Sequence, residues 1–196
     1  MNEGKSYVEP FLLNQPIEGS VVAKVMESKS PLYKKGDLVF GQFPWSTDFV
    51  AVASSAHKID VDANHASEYL GVLGMTGLTA YFGITKIGKP KAGEVIVISG
   101  AAGAVGGSAG QIAKIFGCTV IGIVGSDEKE ELVKSKFGFD HAVNYKKTKN
   151  IGEKLKEIAP KGVDIYFDNV GGPISDSVMQ NMNFQSRVVI CGQISL

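Results

Sequence analysis

The chain has 196 residues, enough for one large domain or two small ones, and 44% of them are hydrophobic, ample for a packed core. Twenty basic residues balance twenty acidic ones with no basic run, which argues against nucleic acid or an anionic membrane as partner. The polar start Met1-Asn-Glu-Gly-Lys-Ser6 does not read as a secretory leader, and Cys118 and Cys191 form no C-x-x-C pair, so a reduced cytoplasmic protein is expected.

Up to about residue 16 the chain is polar, and Pro10 and Pro16 argue against a regular element. Ser20–Met26 and Asp37–Phe40 then read as strands joined by a turn-rich Ser28–Gly36 segment, with a third strand expected at Asp48–Ala53. So few strands make a meagre core, and such a unit is expected to be part of a larger β module. From Asn64 the pattern turns helical. Asn64 is a candidate cap for a helix through Ala66–Leu73, and Thr76 for another carrying Leu78, Tyr81 and Phe82. Gly74–Gly77 between them reads as a hinge between two modules, divided as residues 1–66 and 67–196.

The most informative stretch follows. Val95 to Ile98 is an unbroken apolar run, the pattern of a strand buried on both faces of a parallel sheet. Glycines come next, and then Val105, Ala109, Ile112, Ala113 and Phe116 recur at helical spacing. Strand, glycine turn and helix make a phosphate site, because the helix N-terminus offers unpaired N–H groups and glycine lets a pyrophosphate approach the backbone. Gly100, Gly103 and Gly106 give G-x-x-G-x-x-G, with Ala101 where the common fingerprint has its second glycine. Gly106 and Gly110 also suit close packing of the helix on the sheet, and the two readings are compatible. No residue from Val95 to Ala113 is charged, but five glycines, two serines and a glutamine make this a poor membrane span.

Beyond that helix (104–116) the order is regular: strand 119–124, helix 127–137, strand 141–145, helix 150–158, strand 163–169, helix 174–182 and strand 187–191. Alternating strands and helices predict an α/β domain with a doubly wound parallel sheet.

Gly74-Met-Thr-Gly-Leu-Thr-Ala-Tyr81, the Ala-Ala-Gly-Ala-Val-Gly turn at 101–106 and Gly125-Ser-Asp-Glu-Lys129 resemble segments of the zinc-independent medium-chain dehydrogenase/reductases. So do Phe137-Gly-Phe-Asp140, Asn144-Tyr145, Phe167–Gly172 and Cys191-Gly-Gln-Ile-Ser195. The branch they resemble contains prostaglandin reductases, leukotriene B4 dehydrogenases, 2-alkenal double-bond reductases and curcumin-reductase-like proteins. The match runs from about residue 17 to the end with its motifs in order. The resemblance implies part of a GroES-like catalytic domain followed by a Rossmann domain, NADPH as cofactor, and reduction of the C=C bond of small-molecule enones and enals. Carried onto matching positions, the family's cofactor contacts fall on Thr76, Gly103, Ala104, Val105, Gly106, Ser126, Lys129, Tyr145, Asn169, Cys191, Gly192, Ile194 and Ser195.

Residue chemistry bears on these positions. An NAD enzyme usually places a carboxylate on the ribose roughly 20 residues past the glycine turn. Here Gly125-Ser126 ends the strand, and a 2′-phosphate would be met by Ser126, Lys129 and Tyr145. Taken singly, Lys129 reads first as a solvated surface lysine and Tyr145 as a packing aromatic; it is the family motif that places them at a phosphate. Asp127 is the dissenting residue; with Glu128 it falls in a first helical turn, where a carboxylate answers the helix dipole. Asn169 and Gly192–Ser195 end strands at the edge where doubly wound sheets bind ligands. Cys191 reads as a packed small thiol of which only the backbone meets a cofactor. His57, His65 and His141 lie on different elements without metal-ligand spacing, so no metal site is expected. No G-x-S-x-G elbow or catalytic triad is found.

Against the family pattern the chain looks truncated at both ends, so no catalytic acid is assigned. Two rivals remain: a quinone oxidoreductase of the same superfamily, and a catalytically incompetent nucleotide-binding or interaction protein. The open sheet edge after Arg187–Cys191 would invite homo-oligomer formation.

Overall fold

Two units divide the chain, Met1–Leu70 and Gly71–Leu196, and the computed structural model describes residues 11–195. The polar opening read as leaderless lies outside the described residues; from Phe11 to Ile17 no helix or strand forms.

The first unit is an antiparallel sheet of β1 (Glu18–Lys24), β2 (Leu38–Pro44) and β3 (Ala56–Ile59), in that order. Val39, Phe43 and Ile59 are its buried apolar residues. The strand expected at Asp48–Ala53 does not form. Val50 and Val52 are 102% and 73% exposed, while Phe49 turns inward, its ring 4.9 Å from that of Phe43. A short 3-10 turn, Ala53–Ser55, precedes the real third strand, whose register sets Ile59 opposite Leu38. The next segment, Ala63–Leu70, is 3-10 helical rather than the expected α-helix, and Asn64 does not cap it. Asp62 does that work, its carboxylate accepting the Asn64 N–H at 2.8 Å.

In the second unit α1 (Met75–Phe82) starts one residue before the expected cap. Gly74 holds the N-cap position, and the Thr76 hydroxyl, already inside the helix, donates back to the Gly71 carbonyl at 2.9 Å. The helix continues as a π-helical turn, Gly83–Gly88. Then come β4 (Val95–Ser99), α2 (Ala104–Ile115), β5 (Thr119–Val124), α3 (Asp127–Ser135), β6 (His141–Asn144), α4 (Ile151–Ile158), β7 (Val163–Asp168), α5 (Gly172–Met179) and β8 (Met182–Ile190). All five strands are parallel, in the order β6-β5-β4-β7-β8. The doubly wound sheet expected from the alternation is therefore present. β8 begins five residues earlier than expected because polar Asn183 and Gln185 interrupt its apolar pattern, with a register irregularity between Val163 and Ile165 on its partner.

The two faces of the sheet carry separate cores. Ile96 and Ile98 pack with Val120, Ala109, Ala113 and Phe167 on one side; Val97 packs with Ile121, Ile123, Leu155 and Tyr166 on the other. Burial on both faces is why β4 shows no polar alternation. On the first face the Phe139 ring fills the space where side chains at Gly110 and Gly122 would project. A Cβ built on Gly110 would lie 2.9 Å from Phe139 Cε2, and one on Gly122 would lie 3.0 Å from Cδ2. At the opposite end of the strands Arg187 of β8 donates to the Gly88 carbonyl (2.9 Å), the Lys89 carbonyl (3.3 Å) and Glu94 Oε1 (2.9 Å).

Candidate functional site

Strands β4 and β7 are neighbours, yet the chain builds outward from them in opposite directions, through β5 and β6 on one side and β8 on the other. Helices diverge at such a switch point and leave a crevice beyond the carboxyl ends of the strands. A cleft of about 500 Å³ lies there, within the usual range for a ligand site.

One wall is the turn from β4 into α2. Gly100 adopts φ +60°, a left-handed conformation that glycine takes without strain. Gly106 allows the next contact, since an added Cβ would overlap the Gly100 carbonyl oxygen and stand 2.9 Å from Ala101 Cα. Gly103 is the N-cap of α2, and no side chain caps this helix. The N–H groups of its first turn are thus available to an anion at the positive end of the helix dipole.

The floor is ordered by Asp168, the last residue of β7. Its Oδ1 accepts from Ser99 Oγ and Tyr166 Oη, both at 2.8 Å, and from the backbone N–H of Val170 (2.9 Å) and Gly171 (3.0 Å). Ser175 donates to Oδ2. Burial pushes the carboxyl up, but the bonds from Ser175, Gly171, Val170 and Tyr166 outweigh it and hold Asp168 below the usual carboxylate range. The Asp168 carbonyl accepts the N–H of Cys191 (2.8 Å) and Gly192 (3.0 Å), and Ser195 donates to the Val170 carbonyl at 2.8 Å. Asn169 is anchored to β4, donating through Nδ2 to the Ser99 carbonyl at 2.7 Å and through its backbone N–H to Ser99 Oγ at 2.9 Å. Burial, and then the Asp168 charge, push the Cys191 thiol up, so it is not poised as a thiolate.

The far rim joins the ends of β5 and β6. Ser126 caps α3, accepting the Lys129 N–H at 3.3 Å, and the Lys129 side chain lines the cleft beside Tyr145. Asp127 does not line it. Lys147 and the Asn144 amide (2.9 Å) engage its two carboxylate oxygens, and in that order they hold the carboxyl below its usual range.

Gly103, Ala104, Val105, Gly106, Lys129, Tyr145, Asn169 and Ile194 all line this one cleft. Thr76 lines an adjoining hollow of about 240 Å³ that shares Ala102, Gly103 and Ala104 with it. Ser126, Cys191, Gly192 and Ser195 do not line the cleft; Ser126 caps α3, Cys191, Gly192 and Ser195 hold the turn after β8, and Ser195 is exposed. The sequence reading missed Lys146, Gly125, Val170 and Ile174, which also line the cleft. Lys146 carried a signal, its position next to Tyr145 after a strand end. Among the described residues no group of three or more His, Cys, Asp or Glu is placed to hold a metal, and no single helix is long and apolar enough to cross a membrane.

The five-stranded order and the switch-point cleft define a Rossmann-type fold. Residues 104–195 match the family model "Zinc-binding dehydrogenase", and residues 1–59 match "N-terminal domain of oxidoreductase". The chain is 55% identical over 196 residues to a putative NADP-dependent oxidoreductase of Bacillus subtilis, and 47% identical over 191 residues to the NADP(+)-dependent 2-alkenal reductase of Nicotiana tabacum. These alignments cover 100% and 97% of the chain, and 57% and 56% of the relatives. The crystal structure of CurA from Vibrio vulnificus in complex with NADPH superposes with a TM-score of 0.92 at 38% identity, over 99% of this chain and 57% of CurA. The chain belongs to the medium-chain dehydrogenase/reductase superfamily. It spans little more than half the length of the relatives it matches.

Proposed function

We propose that the protein is an NADPH-dependent reductase of the C=C bond in α,β-unsaturated ketones and aldehydes. The observation that carries the cofactor assignment is the far rim, where Lys129, Tyr145 and Lys146 line the cleft and the nearby Asp127 is engaged elsewhere. That rim offers cations and a hydroxyl to a 2′-phosphate where an NAD site would offer a carboxylate. The uncapped first turn of α2, Ala104 to Gly106, binds the pyrophosphate, with Gly100 and Gly103 allowing its approach. Asn169, Ile194 and the backbone of Cys191–Ser195 take the nicotinamide end, and Thr76 closes the neighbouring hollow. When bound, the cofactor supplies a hydride, delivered to the β-carbon of the substrate. The residues assigned here bind and orient; none is assigned the proton that completes the reduction.

Residues 1–66 then belong to a GroES-like catalytic unit and 67–196 to the cofactor unit. Two free thiols fit a reducing cytoplasm, and the balanced charge fits a small-molecule substrate rather than nucleic acid. The names of the tobacco reductase and of CurA support the reaction class.

Calorimetric titration with NADPH and NADH tests the site. NADPH is expected to bind much more tightly, and Lys129→Ala to weaken it by about 10- to 100-fold, the loss of one charge-assisted phosphate contact. Binding of neither cofactor refutes the assignment. Turnover of an enone with NADPH tests the reaction, and oxidation of NADPH by quinones alone would favour a quinone oxidoreductase.

A further inference from the structure

The carboxylate that could oppose a 2′-phosphate is present at the rim but restrained. Asp127 opens α3, two residues after Gly125 of the cleft wall, and its side chain is 55% exposed. Its restraint comes from the turn after β6. Asn144, 4% exposed, donates its amide to Asp127 and accepts the Lys146 N–H on Oδ1 at 3.1 Å. The Asn144 carbonyl accepts from Lys147 (3.1 Å) and Thr148 (2.9 Å), and Tyr145 donates its N–H to the Val124 carbonyl at 3.0 Å. This one turn therefore presents Tyr145 and Lys146 to the cleft and carries the Lys147 ammonium to Asp127. An exposed ion pair contributes little stability, so the use of this one lies in where it keeps the charge.

We infer that Lys147 is a positioning residue for cofactor choice: acting through Asp127, it keeps that carboxylate off the phosphate rim and so sets the preference for NADPH over NADH. The inference rests on the cofactor reading above. Without Lys147 the carboxylate is held by one amide alone and can rotate toward the rim, where it repels a phosphate and accepts from a ribose hydroxyl.

A double-mutant cycle separates this role from direct phosphate binding by Lys147. Both side chains are more than half exposed, so the variants are expected to fold, which thermal melts would check. The quantity measured is the ratio of NADH to NADPH dissociation constants by calorimetry. Lys147→Ala is expected to lower it by about tenfold, what one carboxylate ~6 Å away imposes on a phosphate dianion in a water-like medium. Lys147→Arg is expected to keep the parent ratio, and Lys147→Ala in an Asp127→Asn background to change it less than about twofold. An equal drop in both backgrounds makes Lys147 a direct contact and overturns the inference, as does an unchanged ratio in Lys147→Ala; either outcome leaves the cofactor assignment standing. A parent chain with no preference for NADPH overturns both.

Discussion

Replacing Gly106 by alanine tests the construction of the glycine turn. The added methyl would overlap the Gly100 carbonyl oxygen and sit 2.9 Å from Ala101 Cα and 3.0 Å from the Gly100 carbonyl carbon. These are backbone atoms and cannot rotate aside, so the turn and α2 must separate by about half an ångström or more, and overpacking of this kind costs about 1–3 kcal/mol. Alanine returns about 1 kcal/mol through its helix propensity, leaving a net loss of up to about 2 kcal/mol. With a urea slope of about 2 kcal/mol/M the unfolding midpoint is expected to fall by up to about 1 M. Far-UV circular dichroism is the right probe, since Trp45 lies in the other unit. Gly103→Ser is the control: its Cβ would be exposed and would meet only the Gly100 oxygen, at 3.2 Å, and serine serves the N-cap position at least as well as glycine, so no loss beyond about 0.5 kcal/mol is expected. A Gly106→Ala midpoint at or above that of the parent, or an equal loss in Gly103→Ser, would refute the reasoning.

Other perturbations address the scaffold. Asp168→Asn sets an amide NH2 against donors already aimed at a carboxylate and is expected to cost about 2–4 kcal/mol, read as a lower melting temperature; a melt within about 1 °C of the parent would contradict the network. Arg187→Met strips three partners from the Gly88–Glu94 corner and leaves Glu94 half-buried without its cation, for an expected loss of about 1–3 kcal/mol in urea unfolding. The Arg187 guanidinium, offset in part by burial, holds the Glu94 carboxyl below its usual value. Its contribution is therefore fully present above the unfolded value near ~4.3 and is lost as pH falls through the lower folded one. Between pH ~4.5 and ~3 the parent should lose more melting temperature than Glu94→Gln, and parallel curves would count against the pair.

Legibility in the sequence followed the locality of the cause. Thr119–Val124 coincides with its expected strand because apolar residues on both faces leave no competing pattern. The first unit was harder: Asp48–Ala53 is a short apolar run with two valines that reads like a strand, but Ile59 fills the place opposite Leu38, a pairing that no local window contains. The caps at Asp62 and Gly74 each lie two residues before the expected positions, the usual resolution of local signals. At the rim, Lys129 and Tyr145 were nameable from their motifs. That Lys146 would face the cleft while Lys147 faced away depends on the turn folding back onto Asn144, and adjacent lysines look alike in a sequence.

The Phe139 ring seated against two glycines makes Gly110, Gly122 and Phe139 a single heritable unit. None can be exchanged alone: a side chain at Gly110 requires a smaller residue at 139, one at Gly122 meets the Ala101 methyl (2.9 Å) as well as the ring, and a smaller residue at 139 leaves a void beneath α2, the helix that carries the anion site. Anyone grafting this crossover onto another sheet must transplant the three positions together.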